Sequence, residues 1–203
     1  MELVILGATG GTGRELVSQA LSRGHTVIAV ARDPSRIPQT PGLKGVQADV
    51  TRAGSLVQGI GEGHLILSAL GVSKGDKTGV LYAGAQAAIA TKPQRIIWLG
   101  AIGTGASART AGWLTRSLLS LMGDRLKDKV AADSAIVSAG GTVFHAGPLS
   151  DRPASETRRT VRLSAVPPRI FPASISRATV AASMLDEAES PNFPATTVVP
   201  LEG

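Results

Sequence analysis

Residues 3–13, LVILGATGGTG, constrain the fold of this chain more than any other stretch. A short aliphatic run breaks into Gly7-Ala8-Thr9-Gly10-Gly11-Thr12-Gly13, and apolar Leu16, Val17, Ala20 and Leu21 follow at helical spacing. Strand, glycine turn and helix in this order open a βαβ unit. Gly7 permits a tight turn, Gly10 lets backbone approach a diphosphate, and Gly13 lets the helix pack closely on the strand. Amides and dipole at the helix start then face an anion. The glycine spacing alone is weak; its place between a strand and a helix gives it force. A glycine-rich turn without a ligand is the bland alternative.

The same alternation continues. Strands are expected at residues 26–31, 45–48, 64–69, 95–99, 142–145 and 196–199, with helices at 13–23, 55–60, 78–91, 111–122, 126–138 and 176–189. Gly24 closes the first helix as a C-cap. Residues 158–163 alternate weakly. The pattern implies a single α/β domain over residues 1–203, a Rossmann-type doubly wound parallel sheet with helices on both faces. Residues 148–172, rich in proline and arginine, read as an irregular substrate-side excursion over the sheet edge. Aromatic residues make up only 3% of the chain against 43% hydrophobic residues in all, so the core must be aliphatic, as buried parallel strands require.

In such sheets ligands bind outside the carboxyl ends of the strands. The second strand ends in Ala31-Arg32-Asp33-Pro34-Ser35-Arg36. An acidic residue there would bind the adenosine 2′-hydroxyl and select NAD, whereas a guanidinium suits a 2′-phosphate. Arg32, with Arg36 one turn on, favours NADP(H); the alternative is that Asp33 binds and NAD(H) is the cofactor. Asp49 and Val50 flank the adenine, or else Asp49 caps a helix. Ala69, Leu70 and Gly71, with Leu99, Gly100 and Ala101, end strands four and five and should line the crevice.

Other classes find little support. The net charge is +6, but the basic residues are scattered, without the aromatic-interleaved stripe of single-strand binders, so no nucleic-acid partner is expected. There is no cysteine, which excludes a disulfide framework, a thiolate metal site and a cysteine nucleophile, and fits a cytoplasmic protein. The opening residues carry no basic segment before a signal-like apolar run, and no run approaches the length of a membrane helix. No metal-ligand spacing and no Gly-x-Ser-x-Gly elbow occur.

The segments GATGGTG, VARDPSR, ADVTRAGSL, LILSALG, RIIWLGAIGTG, LKDKVAAD, HAGPLSD and SISRATVA, in order and spacing, resemble the atypical short-chain dehydrogenase/reductase superfamily. Within it the chain is similar to the small NAD(P)H-binding proteins related to the flavin reductase/biliverdin reductase B and NmrA-like groups, over essentially its whole length. The resemblance implies that Gly7, Thr9, Gly10, Gly11, Thr12 and Gly13 hold the pyrophosphate, and that Arg32 and Arg36 meet the 2′-phosphate. It also implies that Lys129 holds the nicotinamide ribose and that Gly147, Pro148 and Leu149 cover the nicotinamide.

Departures from the family pattern bear on catalysis. Many relatives carry a tyrosine four residues before the lysine and serines after strand five; here those places are Arg125, Gly100 and Ala101. Arg125 cannot release a proton at neutral pH. The candidate catalytic residues are then Lys129 and His145, with Ala101 and Trp113 walling a substrate pocket. Tyr82, the single tyrosine, reads as packing, and Trp98 as core. The reading that follows is an NADPH-dependent oxidoreductase acting, as monomer or homodimer, on a small organic acceptor such as a flavin, quinone or carbonyl. The alternatives are a non-catalytic NADP(H)-binding redox sensor and an isomerase or cyclase on the same fold.

Overall fold

The computed structural model describes residues 1–72, 75–109, 123–166 and 173–202. Strand β1 (Glu2–Leu6) is aliphatic on both faces, and its side chains alternate between two cores. Leu3 and Ile5 point to a layer with Leu16, Ala20, Val180 and Met184, while Val4 and Leu6 point to one with Leu56, Leu81, Ala85 and Ile136. A sheet buried on both faces therefore needs helices on both sides, which the chain supplies by alternation.

After β1 come α1 (Gly11–Ser22), β2 (Thr26–Ala31), β3 (Leu43–Gln47), α2 (Ser55–Ile60), β4 (Leu65–Ser68), α3 (Val80–Ala90) and β5 (Arg95–Ala101). Then follow α4 (Asp124–Ser138), β6 (Thr142–Ala146), β7 (Leu149–Ser150), β8 (Arg159–Arg162), β9 (Ile175–Ser176), α5 (Arg177–Glu189) and β10 (Thr197–Leu201). The main sheet has eight strands in the order β3-β2-β1-β4-β5-β6-β10-β8. All its neighbours run parallel except the last pair, where β8 lies antiparallel to β10. The order reverses between β1 and β4, which opens a crevice at their carboxyl ends. Helices α1 and α5 pack together on one face, α3 and α4 on the other.

The expected elements recur, with shifted ends. Helix α1 starts two residues earlier than the apolar pattern suggests, with Gly10 in extended conformation as its N-cap. Strand β5 runs on to Ala101, and β10 to Leu201. Ser176 proves to be the N-cap of α5, its hydroxyl accepting from the Thr179 amide. Residues 148–172 contribute β7, which pairs with β9 as a separate two-stranded sheet, and β8, the edge of the main sheet. The helix expected over 111–122, with Trp113, lies outside the described residues. Among the described residues no helix is long and apolar enough to cross a membrane. Trp98 is core, 1% exposed, whereas Tyr82 stands 44% exposed on α3 rather than packed.

Candidate functional site

The turn between β1 and α1 is built so that only glycine fits. Gly7 has φ +74°, a left-handed conformation that strains other residues, and a Cβ there would come within 2.7 Å of the Ala69 carbonyl oxygen on the β4 side. A Cβ on Gly13 would overlap the Gly7 carbonyl oxygen, so helix and strand touch backbone to backbone. The Gly10 amide donates to the Gly7 carbonyl at 2.9 Å and closes the turn. Helix α1 has no side-chain cap and no acid in its first turn. Its leading amides thus keep their donors, and no acidic residue stands in its first turn to oppose an anion.

Beside this turn lies a cavity of about 650 Å³ across the carboxyl ends of β1, β2, β4 and β5. Of the residues singled out from sequence, the cavity is lined by Gly7, Thr9, Gly10, Gly11 and Thr12, then Arg32 and Arg36, Asp49 and Val50, and Ala69, Leu70 and Gly71. At its other end it reaches Leu99, Gly100, Ala101, Lys129, Gly147 and Leu149. Gly13 and Pro148 do not line it: Gly13 packs on Gly7, and the Pro148 carbonyl accepts from the Ile175 amide beside the β7–β9 pair.

The acidic residues are sorted by their local bonds. Asp33 does not line the cavity; its Oδ1 accepts from the Ser35 amide and hydroxyl, at 3.1 and 2.6 Å, capping a short 3-10 turn. Those bonds hold its carboxyl below the usual range. Asp49 lines the cavity and caps no helix: α2 starts behind Gly54, and Asp49 Oδ1 instead accepts from the Thr51 hydroxyl and amide in a local turn. These bonds likewise hold its carboxyl low, helped by Arg52 and Arg32.

Lys129, half-buried on α4, brings the one ammonium at the far end of the cavity among the described residues. Burial lowers its pKa from the ordinary lysine value, while the charges of Asp133 and Asp128 oppose that shift. Asp128 also caps α3, its carboxylate accepting from the Leu81 and Tyr82 amides at 3.2 and 2.9 Å.

His145 is placed away from the cavity. It is 1% exposed, with Nδ1 2.6 Å from Ser107 Oγ and Nε2 3.0 Å from Asp133 Oδ2. Its ring fills the space beside Gly100, where a Cβ would come within 2.6 Å of His145 Cδ2. Engaged at both nitrogens and buried, it does not line the cavity. Arg125 is exposed on α4 and does not line the cavity.

Sequence reasoning missed two charged residues of the site. Arg177 lines the cavity and lies across the start of α1, where a Cβ on Gly11 would come within 2.8 Å of its Cδ. Asp151 pairs with its guanidinium at 2.6 Å. Arg177 stands in the SISRATVA segment, where nothing local signals its role. Asp76 lies in the glycine-rich connection to α3 and pairs with Arg32 Nη1 at 2.7 Å.

A parallel sheet in this order, with a glycine turn at the switch point and a long cavity across its strand ends, defines a Rossmann-fold dinucleotide-binding protein. The chain belongs to the NAD(P)H-binding family, whose profile matches residues 7–191. No curated protein sequence matches it. Solved structures share its fold at low identity. The oxidoreductase ylbE of Lactococcus lactis has a TM-score of 0.79 at 22% identity, covering 100% of this chain and 91% of that one. ChuY, an anaerobilin reductase of Escherichia coli O157:H7, has a TM-score of 0.80 at 18% identity, covering 100% and 97%. A short-chain dehydrogenase/reductase of Veillonella parvula in complex with NADP has a TM-score of 0.80 at 15% identity, covering 99% and 94%.

Proposed function

We propose that the protein is an NADPH-dependent oxidoreductase that reduces a small organic acceptor such as a flavin, quinone or carbonyl compound. One observation carries the cofactor half: Arg32 and Arg36 line the adenosine end of the cavity, while Asp33 is turned out of it into a cap. A guanidinium offers paired donors to a 2′-phosphate, and the carboxylate that would select NAD is occupied elsewhere. The glycine turn would hold the diphosphate through the Gly11 and Thr12 amides, with Arg177 adding charge at the same helix start. Lys129 would hold the nicotinamide ribose, and Gly147 and Leu149 would cover the ring.

When bound, the dihydronicotinamide supplies a hydride to the acceptor. The protein's own work is to orient the acceptor, exclude water and deliver one proton. Burial brings Lys129 Nζ closer to proton release, so it is the proton donor the site offers in place of the missing tyrosine. Leu149, 37% exposed at the cavity mouth, gives an apolar surface suited to a flat acceptor.

The test is calorimetric titration with NADPH and NADH, followed by an acceptor panel monitored by NADPH oxidation. Binding that favours NADPH, with turnover of some flavin, quinone or carbonyl, supports the reading. Equal binding of both cofactors, with a ratio that R32Q leaves unchanged, removes the Arg32 assignment. Tight NADPH binding with no turnover across the panel favours the redox-sensor alternative, which Gly100 and Arg125 at the usual serine and tyrosine places motivate.

A further inference from the structure

The guanidinium assigned to the 2′-phosphate already has a partner. Arg32 Nη1 lies 2.7 Å from Asp76 Oδ1, and the two side chains differ sharply in exposure, 62% for Arg32 and 11% for Asp76. Both line the cavity. The neighbouring charges are Arg36 and Asp49, the latter with Arg52 at 3.8 Å; Asp33 is tied to Ser35. Among the described lining residues this end therefore holds two cations and two carboxylates, and one carboxylate sits on the arginine that should read the phosphate.

We infer that Asp76 is a specificity-determining residue which competes with the cofactor's 2′-phosphate for Arg32 and so limits the preference for NADPH over NADH. The inference rests on the reading of Arg32 as the 2′-phosphate partner. A phosphate dianion and an aspartate cannot both lie against one guanidinium without like-charge repulsion, which is costly where water is partly excluded. NADPH must therefore take Arg32 from Asp76, bringing its phosphate charge beside a largely covered carboxylate. NADH brings no phosphate, leaves the ion pair intact and presents a ribose hydroxyl that a nearby carboxylate can accept from. The pair thus taxes one cofactor and spares the other. A site with Arg32 alone would discriminate more strongly; this chain instead carries a counterweight.

Two ligands without a nicotinamide read this end of the site directly: adenosine 2′,5′-bisphosphate and adenosine 5′-monophosphate. Titrations of these, and of NADPH and NADH, would be made by calorimetry on the full chain and on the D76N, D76S, R32Q and R32Q/D76N variants, each shown folded by its melting curve. With an exchange of partners, D76N and D76S tighten NADPH and the bisphosphate about three- to tenfold, the range expected for freeing a half-exposed ion pair. NADH and the monophosphate then stay within about twofold. On the R32Q background D76N no longer tightens NADPH, because the group being competed for is gone. A ratio of NADPH to NADH affinity that falls in R32Q but is the same in D76N, D76S and wild type overturns the exchange while leaving the NADPH reading intact. A ratio unchanged in R32Q itself overturns both, since Arg32 then does not read the phosphate.

Discussion

Gly100 and His145 occupy each other's space. Strand β5 needs no glycine for its own conformation, yet a Cβ at position 100 would press on the imidazole at 2.6 Å and on Asp133 Oδ2 at 3.1 Å. The glycine at the family's serine place is thus a packing requirement of a histidine buried behind the strand. Gly100→Ala should cost about 1–3 kcal/mol by overpacking, read as a lower urea midpoint at unchanged slope. Placed on His145→Ala, the same change should cost less or stabilise, because the methyl enters space the ring has left. Equal costs on both backgrounds would separate the two residues. Lys129 makes the opposite bargain. Burial disfavours its charge, so the ammonium weighs against folding and in favour of the site. Lys129→Met should leave the melting temperature of the free protein the same or higher and weaken NADPH binding about ten- to a hundredfold, the loss of a charged hydrogen bond. A drop in melting temperature would instead mean that Asp133 and Asp128 depend on this cation.

Between elements, polar side chains do what local sequence leaves undone. Helix α3 begins at Gly79 with φ +99° and no cap of its own, and the Asp128 carboxylate of α4 supplies one from outside. Asp128→Ala should cost about 0.5–2 kcal/mol, as other lost N-caps do, with the change visible in urea unfolding. Because Asp128 also supports the charge of Lys129, the same variant should weaken NADPH binding; a stability loss without it would confine Asp128 to capping. This cap shows where legibility stops. The strands and helices were readable because apolar spacing and glycine punctuation are local, and so was the glycine turn, whose neighbours in sequence are its neighbours in space. Asp128 bonding residues 46 and 47 positions away has no local trace. The same holds for the β7–β9 pair, for the antiparallel fit of β8 on β10, and for Arg177 reaching Gly11. His145 misled for the same reason: a histidine at a strand end gives no sign of whether it faces the crevice or Asp133.

At the scale of the whole molecule, one carboxylate ties the last strand to the site. Glu202, just beyond β10, accepts from the Ser176 amide at 2.8 Å and the Thr179 hydroxyl at 2.9 Å, and pairs with Arg152 at 2.8 Å. It thereby fastens the end of β10 to the start of α5, the turn of helix that carries Arg177 to the cavity. Burial pushes the Glu202 carboxyl up, but the bonds from Ser176 and Thr179 and the charge of Arg152 outweigh it and leave the group below its ordinary value. A carboxyl lowered in the folded state contributes stability that is complete above its unfolded value. That contribution is lost as pH falls through the folded one. The window therefore opens near pH 4 to 5 and extends downward, and Asp33 and Asp49, lowered by their bonds to Ser35 and Thr51, titrate in the same direction. Glu202→Gln should melt a few degrees below wild type at pH 7, about 2–4 °C for each kcal/mol lost. That deficit should shrink steadily below about pH 4, as wild type loses the same charge by protonation. Melting curves at pH 7, 5, 4 and 3 decide it. A deficit constant across this range would mean that neutral hydrogen bonding alone holds the strand. One that closes on acidification would locate part of the protein's acid sensitivity in the tie that positions Arg177, so that NADPH affinity and stability should fall together in acid.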